Sequence, residues 1–234
     1  HFLYDELDGD KNCVTLVTTY KDNPHLPLAQ IKEIEKLEII DPQLWSIYGR
    51  GIRGTLKGLI FNNWRIVQEL PKDLKKHGYG LDFGFTNDPT ALIEAGLLNG
   101  EIWVNELIYE NGLTNTDISK EMIDVPVKPQ SLIIADSAEP KSIEELKRLR
   151  HYIKGAEKKQ DSVRHSINAL KQYQINVTAH SVNLIKELKS YKWKHKDGKD
   201  LNEPIDKFNH AIDAFRYWAI ENIGVQQEKI RIFY

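Results

Sequence analysis

The chain of 234 residues carries 32 Lys and Arg against 34 Asp and Glu, a formal net charge of −2, with 41% hydrophobic and 28% charged residues. That balance, with 14 Gly and 9 Pro, excludes collagen-like and Pro/Gly-rich disordered classes, and no apolar run is long enough to span a membrane. The single cysteine, Cys13, leaves no internal disulfide and no cysteine-rich zinc site, and suits a reducing compartment.

The chain opens at His1 with neither an initiator Met nor a charged-then-apolar leader, the pattern expected of a fragment. Residues 1–75 read as a linker arm. Pro24 and Pro27 sit in a turn-rich stretch, because each fixes its own φ and pushes its predecessor out of the α region. Ile31, Ile34, Leu37 and Ile40 then recur at helical spacing, and Gly49, Gly51, Gly54 and Gly58 punctuate a loop. No sustained period of two is present in this part.

From Tyr79 the pattern is clearer. Tyr79–Gly84 predicts a short strand, Thr90–Leu98 a second, and Asn99-Gly100 a tight hairpin turn into Glu101–Tyr109. Thr114–Met122 suits a helix with Thr116 as its cap, and Ser131–Asp136 a strand apolar on both faces. Pro140 opens a helix running to about Arg150. Strands at Tyr152-Ile153 and Ile175–Val177 alternate with helices from Ser162 and Val182, and a last helix spans about Lys207–Asn222. Three antiparallel strands followed by β-α units predict a mixed α/β sheet with helices on both faces.

Three aspartates stand out against this frame. Asp82 lies within a strand beside Gly84, and Asp136 ends another strand, where sites collect in open α/β sheets. Carboxylates in such places need a cation, a metal or backbone N–H partners, and Asp136 on its own would also suit a helix or turn cap. Asp206, His210 and Asp213 are spaced by 4 and 3 and share a face of the last helix, beside the apolar stripe of Phe208, Ile212, Phe215 and Ala219. A surface pair would show the same spacing. Asp oxygens with one His form a hard donor set suited to Mg²⁺ or Mn²⁺, and two such ions stabilise both the attacking and the leaving oxygen in phosphodiester hydrolysis.

Charge by segment sharpens the reading. Residues 141–199 hold 15 Lys and Arg against 6 Asp and Glu, a net of +9, and the remainder, with 17 against 28, is −11. Arg148, Arg150, Lys154, Lys158, Lys159 and Arg164 are the candidate contacts to a nucleic-acid backbone; solvated helix faces would give the same counts.

Gly80–Ala91, Ile133–Pro140 and Phe208–Tyr217, in that order and spacing, resemble the nuclease domain of tailed-phage terminase large subunits over about residues 79 to 222. Thr18–Pro24 and Gly58–Phe61 resemble the segment that joins the ATPase and nuclease domains in that family. The resemblance implies an RNase H-like fold over residues 76–234 and an endonuclease that cuts concatemeric viral DNA during packaging in the host cytoplasm. It implies Asp82, Asp136 and Asp213 as metal-binding catalytic residues, with His210 auxiliary and Asp88 a further acidic position or a turn former beside Pro89. It also implies double-stranded DNA, the terminase small subunit and the portal as partners. Trp193–Lys199 resembles the family's hairpin near the site, with Lys194 and Lys196 as cationic flanks to DNA. No G-x-x-x-x-G-K-[ST] occurs in the chain, so an ATPase would lie upstream.

Two other readings carry different expectations. Gly80–Asn87 also resembles the first phosphate loop of actin- and chaperone-type nucleotide-binding proteins, although Asp136 is followed by Ser137-Ala138 rather than glycines. A non-catalytic DNA- or portal-binding module with a vestigial acidic site is the other.

Overall fold

The computed structural model describes residues 14, 16–40, 45–51, 59–125, 127–128, 130–157, 161–196, 199–205 and 208–223. The chain divides into two compact units, His1–Lys57 and Gly58–Tyr234. In the first, a 3₁₀ turn, Tyr20–Asp22, is closed by a capping box in which Thr19 and Asp22 serve each other's backbone N–H groups. Its other described elements are helix α1, Leu28–Ile40, and a π turn at Trp45–Gly49.

The second unit is built on a seven-stranded mixed sheet of β1 (Trp64–Val67), β2 (Lys75–Asp82), β3 (Thr90–Leu98), β4 (Glu101–Glu110), β5 (Ile133–Ala135), β6 (Ile153–Gly155) and β7 (Ile175–Thr178). Their spatial order is β1-β7-β4-β3-β2-β5-β6. The strands β2, β3 and β4 form the antiparallel meander, and the other pairings are parallel. Asn99 and Gly100 both take positive φ, 52° and 77°, as a tight turn matched to strand twist requires. The expected arm boundary near residue 75 differs from this division. Trp64–Val67 pairs with β7 and belongs to the sheet.

Among the described residues five helices cover the two faces: α2 (Asn115–Asp124), α3 (Pro140–Arg148), α4 (Ser162–Leu170), α5 (Val182–Ser190) and α6 (His210–Asn222). Period-two alternation sorts the strands. Ala91, Ile93 and Ala95 pack with Ile167, Leu184, Leu188, Ile212 and Phe215, so α4, α5 and α6 lie on one face. Tyr79, Leu81 and Leu92 pack with Ile118, Met122, Ile143 and Leu146, which puts α2 and α3 on the other. The cap of α2 is Thr114 rather than Thr116, because Thr114 and Asp117 form the reciprocal box. A separate two-stranded hairpin, β8 (Trp193–Lys196) with β9 (Lys199–Pro204), follows α5, and its Asp197-Gly198 tip lies outside the described residues. No helix among the described residues is long and apolar enough to cross a membrane.

Candidate active site

Strands β2 and β5 run parallel as neighbours, with Leu81 opposite Ala135. The ladder continues one residue further, where the Asp136 N–H donates to the Leu81 carbonyl at 3.2 Å. Asp82 and Asp136 therefore leave the carboxyl ends of adjacent strands. Leu81 and Tyr79 point into the α2/α3 core, so Asp82 and Gly80 face α6.

Gly80 is what lets α6 come so close. A Cβ there would meet the Ala214 carbonyl oxygen at 1.8 Å. The helix lies on the strand backbone, and its first turn delivers His210 and Asp213 over the strand end. Gly84 is equally tight, and the group that approaches it is backbone of its own loop, Asp88 and Pro89, at 2.2–2.4 Å from an ideal Cβ.

Each carboxylate has its own partners. Asp82 accepts from His210 Nδ1 at 3.1 Å and from the Tyr217 hydroxyl. Asp136 accepts from the Ala138 N–H at 2.8 Å. Asp213 accepts from Asn209 Nδ2 at 3.1 Å and pairs with the buried Arg216, whose Nε also donates to Ser166 Oγ at 3.0 Å. His210 Nε2 stands 3.6 Å from Asp88, an exposed residue. Burial, with the charge of Asp82, Asp213 and Asp136, raises the Tyr217 hydroxyl well above its ordinary value.

Burial dominates the electrostatics. It raises the Asp82 carboxyl above its ordinary value despite the His210 hydrogen bond, and pushes Asp213 up to about 6 despite Arg216. His210 is raised in turn, first by its hydrogen bond to Asp82. Two clefts meet at Asp88. One, of about 510 Å³, is lined by Phe83, Phe85, Leu113, Glu139 and Glu145; the other, of about 490 Å³, by Pro89, Tyr109, Phe208 and His210.

The donor chemistry fits a hard divalent cation: carboxylate oxygens, those of Asp82 buried and those of Asp136 and Asp213 half-buried, in excess of the positive charge around them. Among the described residues no group of three His, Cys, Asp or Glu converges in ligating geometry, and each aspartate is held by a different donor. Asp206, expected on the same helix face, lies outside the described residues, as do Lys158 and Lys159. Of the other expected DNA contacts, Arg148 pairs with Glu144 at 3.3 Å, Lys154 with Glu221 at 2.8 Å and Lys194 with Glu203 at 3.2 Å. Arg150 and Arg164 form no ion pair among the described residues, and Lys196 lies in β8 opposite Lys199.

Sequence reasoning missed three residues here. Tyr217 lies in the quoted motif but carried no role, and the Arg216 ion pair was not foreseen. Glu187 of α5 is 2% exposed and hydrogen-bonds the Tyr109 hydroxyl and the Ile212 N–H, each at 2.9 Å. The available signal was an acid between Leu184 and Leu188 on the buried stripe of its helix.

A mixed sheet with this strand order and an acidic cluster at the ends of its central strands defines an RNase H-like domain. The Terminase RNase H-like domain family model matches residues 82–221, more than half of the chain, and the chain belongs to that family. The large terminase subunit of Bacillus phage SPP1 is 30% identical over 221 residues, 86% of this chain and 50% of its own length. The PBSX phage terminase large subunit of Bacillus subtilis is 26% identical over 229 residues, 91% of this chain and 51% of its own length. The chain thus spans about half the length of these curated relatives. The crystal structure of the SPP1 large terminase nuclease domain with bound Mn superposes with a TM-score of 0.60 at 28% identity, covering 69% of this chain and 97% of its own.

Proposed function

We propose that this chain is the nuclease part of a phage large terminase and hydrolyses phosphodiester bonds of double-stranded DNA in a divalent-metal-dependent endonuclease reaction. One observation carries the reading. Asp82 at the end of β2 accepts from His210 on a helix that also carries Asp213 and lies against Gly80, and Asp136 leaves the end of the neighbouring parallel strand. The manganese named for the SPP1 nuclease domain supports the choice of Mg²⁺ or Mn²⁺, two ions by the logic of phosphodiester hydrolysis.

Asp82, Asp136 and Asp213 would hold the metal, which when bound supplies water activation and neutralises charge at the scissile phosphate. The protein's own groups do the remainder. His210, between Asp82 and Asp88, holds a proton at Nδ1 against the Asp82 carboxylate and so restrains its orientation. Tyr217 donates a second hydrogen bond to Asp82. Arg216 and Asn209 hold Asp213 at the helix start. Arg150 and Arg164, which form no ion pair among the described residues, and the paired Arg148, Lys154 and Lys194 are the cations offered to the DNA backbone.

In the whole protein we place this activity in the cutting of concatemeric viral DNA during packaging in the host cytoplasm, with the small subunit and portal as partners. The arm would join the nuclease to an upstream ATPase domain.

Supercoiled plasmid incubated with Mn²⁺ tests the reading. Wild-type protein should nick and linearise it without ATP, and Asp82→Ala should lower the rate by at least about 100-fold. Equal rates for the two proteins, or no cleavage by either, would leave the non-catalytic module as the better account.

A further inference from the structure

We propose that Glu187 is a positioning residue of this site: its buried carboxylate fixes the first turn of α6, and through it sets His210 and Asp213 against Asp82. The inference rests on the nuclease reading for its functional meaning.

A helix start leaves backbone N–H groups without partners, and Asn is among the residues that cap them. Asn209 stands at the cap position of α6, yet its side chain makes no cap bond. It is diverted instead to Asp213, donating to Oδ2 at 3.1 Å. The amides it leaves are served from another helix. Glu187 Oε2 accepts from the Ile212 N–H at 2.9 Å, and the same carboxylate accepts from the Ala211 N–H. Its other oxygen accepts from the Tyr109 hydroxyl at 2.9 Å. A negative group at a helix N-terminus also meets the favourable end of the macrodipole.

The arrangement is repeated one step back. Ser181 heads α5 without a side-chain cap bond and accepts from the Glu106 N–H at 2.8 Å. Glu106 Oε2 in turn accepts from the Leu184 N–H at 2.6 Å, and its Oε1 from Asn183 Nδ2 at 2.7 Å. Two carboxylates thus reference α5 to β4, and α6 to α5. Tyr109 closes the loop, because it lies in register with Ala91, which lies in register with Asp82. The start of α6 is therefore measured from the strand row that carries Asp82, independently of the loop that leads into it.

A buried carboxylate is a costly way to fill a helix interface, and burial pushes Glu187 up to about 7 even with three donors on it. Leucine would serve the packing of this stripe. A carboxylate is needed only where the helix start itself must be held.

The test compares wild type, Glu187→Ala, Glu187→Gln and Ile143→Val in the full chain. Ile143 is in the core of the opposite face, so its variant supplies a modest stability loss unrelated to α6. Three readouts are taken well below the melting temperature: Mn²⁺ affinity by calorimetry, amide exchange over residues 209–213, and plasmid cleavage. Glu187→Ala should weaken Mn²⁺ binding by about 10- to 100-fold, in line with loss of a supporting hydrogen bond at a metal site. It should also deprotect the first turn of α6 while the second half stays protected. Glu187→Gln, which keeps an acceptor oxygen, should return both to within a few-fold of wild type, and Ile143→Val should change neither. Wild-type affinity and wild-type protection in Glu187→Ala would overturn the inference, as would an affinity loss no larger than that of Ile143→Val. If wild type neither binds Mn²⁺ nor cuts, the nuclease reading fails; amide exchange then decides the inference alone, and unchanged protection of residues 209–213 overturns it.

Discussion

Gly80→Ala should damage this protein out of proportion to one methyl group. The new Cβ would stand 1.8 Å from the Ala214 carbonyl oxygen and 2.7 Å from its carbon, where ordinary contact begins near 3.4 Å. The obstacle is helix backbone and cannot rotate away, so α6 must lift by about 1.6 Å or the strand must bow. The helix buries Ala211, Ile212, Phe215 and Trp218, with the last two rings stacked at 5.8 Å. Overpacking of this kind costs about 1–3 kcal/mol, and the rigid obstacle argues for the upper end. Gly80 does not take positive φ, so the lower chain entropy of Ala offsets about 0.4–1 kcal/mol. A net loss of about 2 kcal/mol should lower the melting temperature by roughly 4–8 °C in a domain of this size. Activity should suffer more. Asp213 precedes Ala214, and a displacement of about 1 Å at a catalytic group costs about 100-fold. Gly78→Ala is the control, since its Cβ meets only the Leu132 carbonyl at 3.2 Å and Trp218 at 3.7 Å. Thermal melting and Mn²⁺-dependent plasmid cleavage of the three proteins decide it. If Gly80→Ala melts and cuts like Gly78→Ala, then close approach of α6 is not what places Asp213.

Glu187 titrates near 7 in the fold against 4.5 as its ordinary value, so between those pH values the native state holds a proton that the unfolded chain has lost. Stability from this group is full below about 4.5 and falls as pH rises through 7, by on the order of 3 kcal/mol. Glu187→Gln should therefore gain in melting temperature on wild type between pH 5 and pH 8, and a constant difference would contradict the assignment. At the surface, Glu144→Gln releases Arg148 from an exposed pair worth under about 1 kcal/mol. DNA affinity should rise and the slope of log K against log salt should steepen by about 0.9, whereas an unchanged slope would remove Arg148 from the DNA-facing set.

What was legible in the sequence was whatever local chemistry dictates. Asn99-Gly100 specifies a turn with positive φ at both positions, and it forms one. The aspartates at strand ends could be read because polar residues there contradict the apolar run around them. The α6 face carrying His210 and Asp213 followed from helical spacing. Strand β1 was not legible: four residues at a sheet edge, with Ile66 52% exposed, leave no alternation long enough to see. The capping box of α2 was readable from Thr114 and Asp117, although Thr116 offers a competing hydroxyl. Gly80 and Glu187 act through contacts between elements distant in sequence, and no periodicity announces such contacts. Segment charge misleads for the same reason. Lys154 finds Glu221 and Lys194 finds Glu203, one of them across 67 positions of chain, so a count over residues 141–199 overstates the free positive charge.

The placement of α6 therefore has three independent determinants, and none of them is one of the site carboxylates. Gly80 sets its distance from the sheet. Glu187 sets its start. Arg216, held by Ser166, whose hydroxyl is itself bonded to the Ser162 and Val163 carbonyls, ties its first turn to α4. Burial keeps Asp82 and Asp213 reluctant to ionise, so the acids gain most from any cation that reaches them, and they would repel one another without it. A site of that kind needs a rigid frame more than a polar one, because mutual repulsion spreads the carboxylates unless the backbone under them cannot yield. The backbone contact at Gly80, a cap delivered from the neighbouring helix and a buried arginine tether each resist that spreading from a different side.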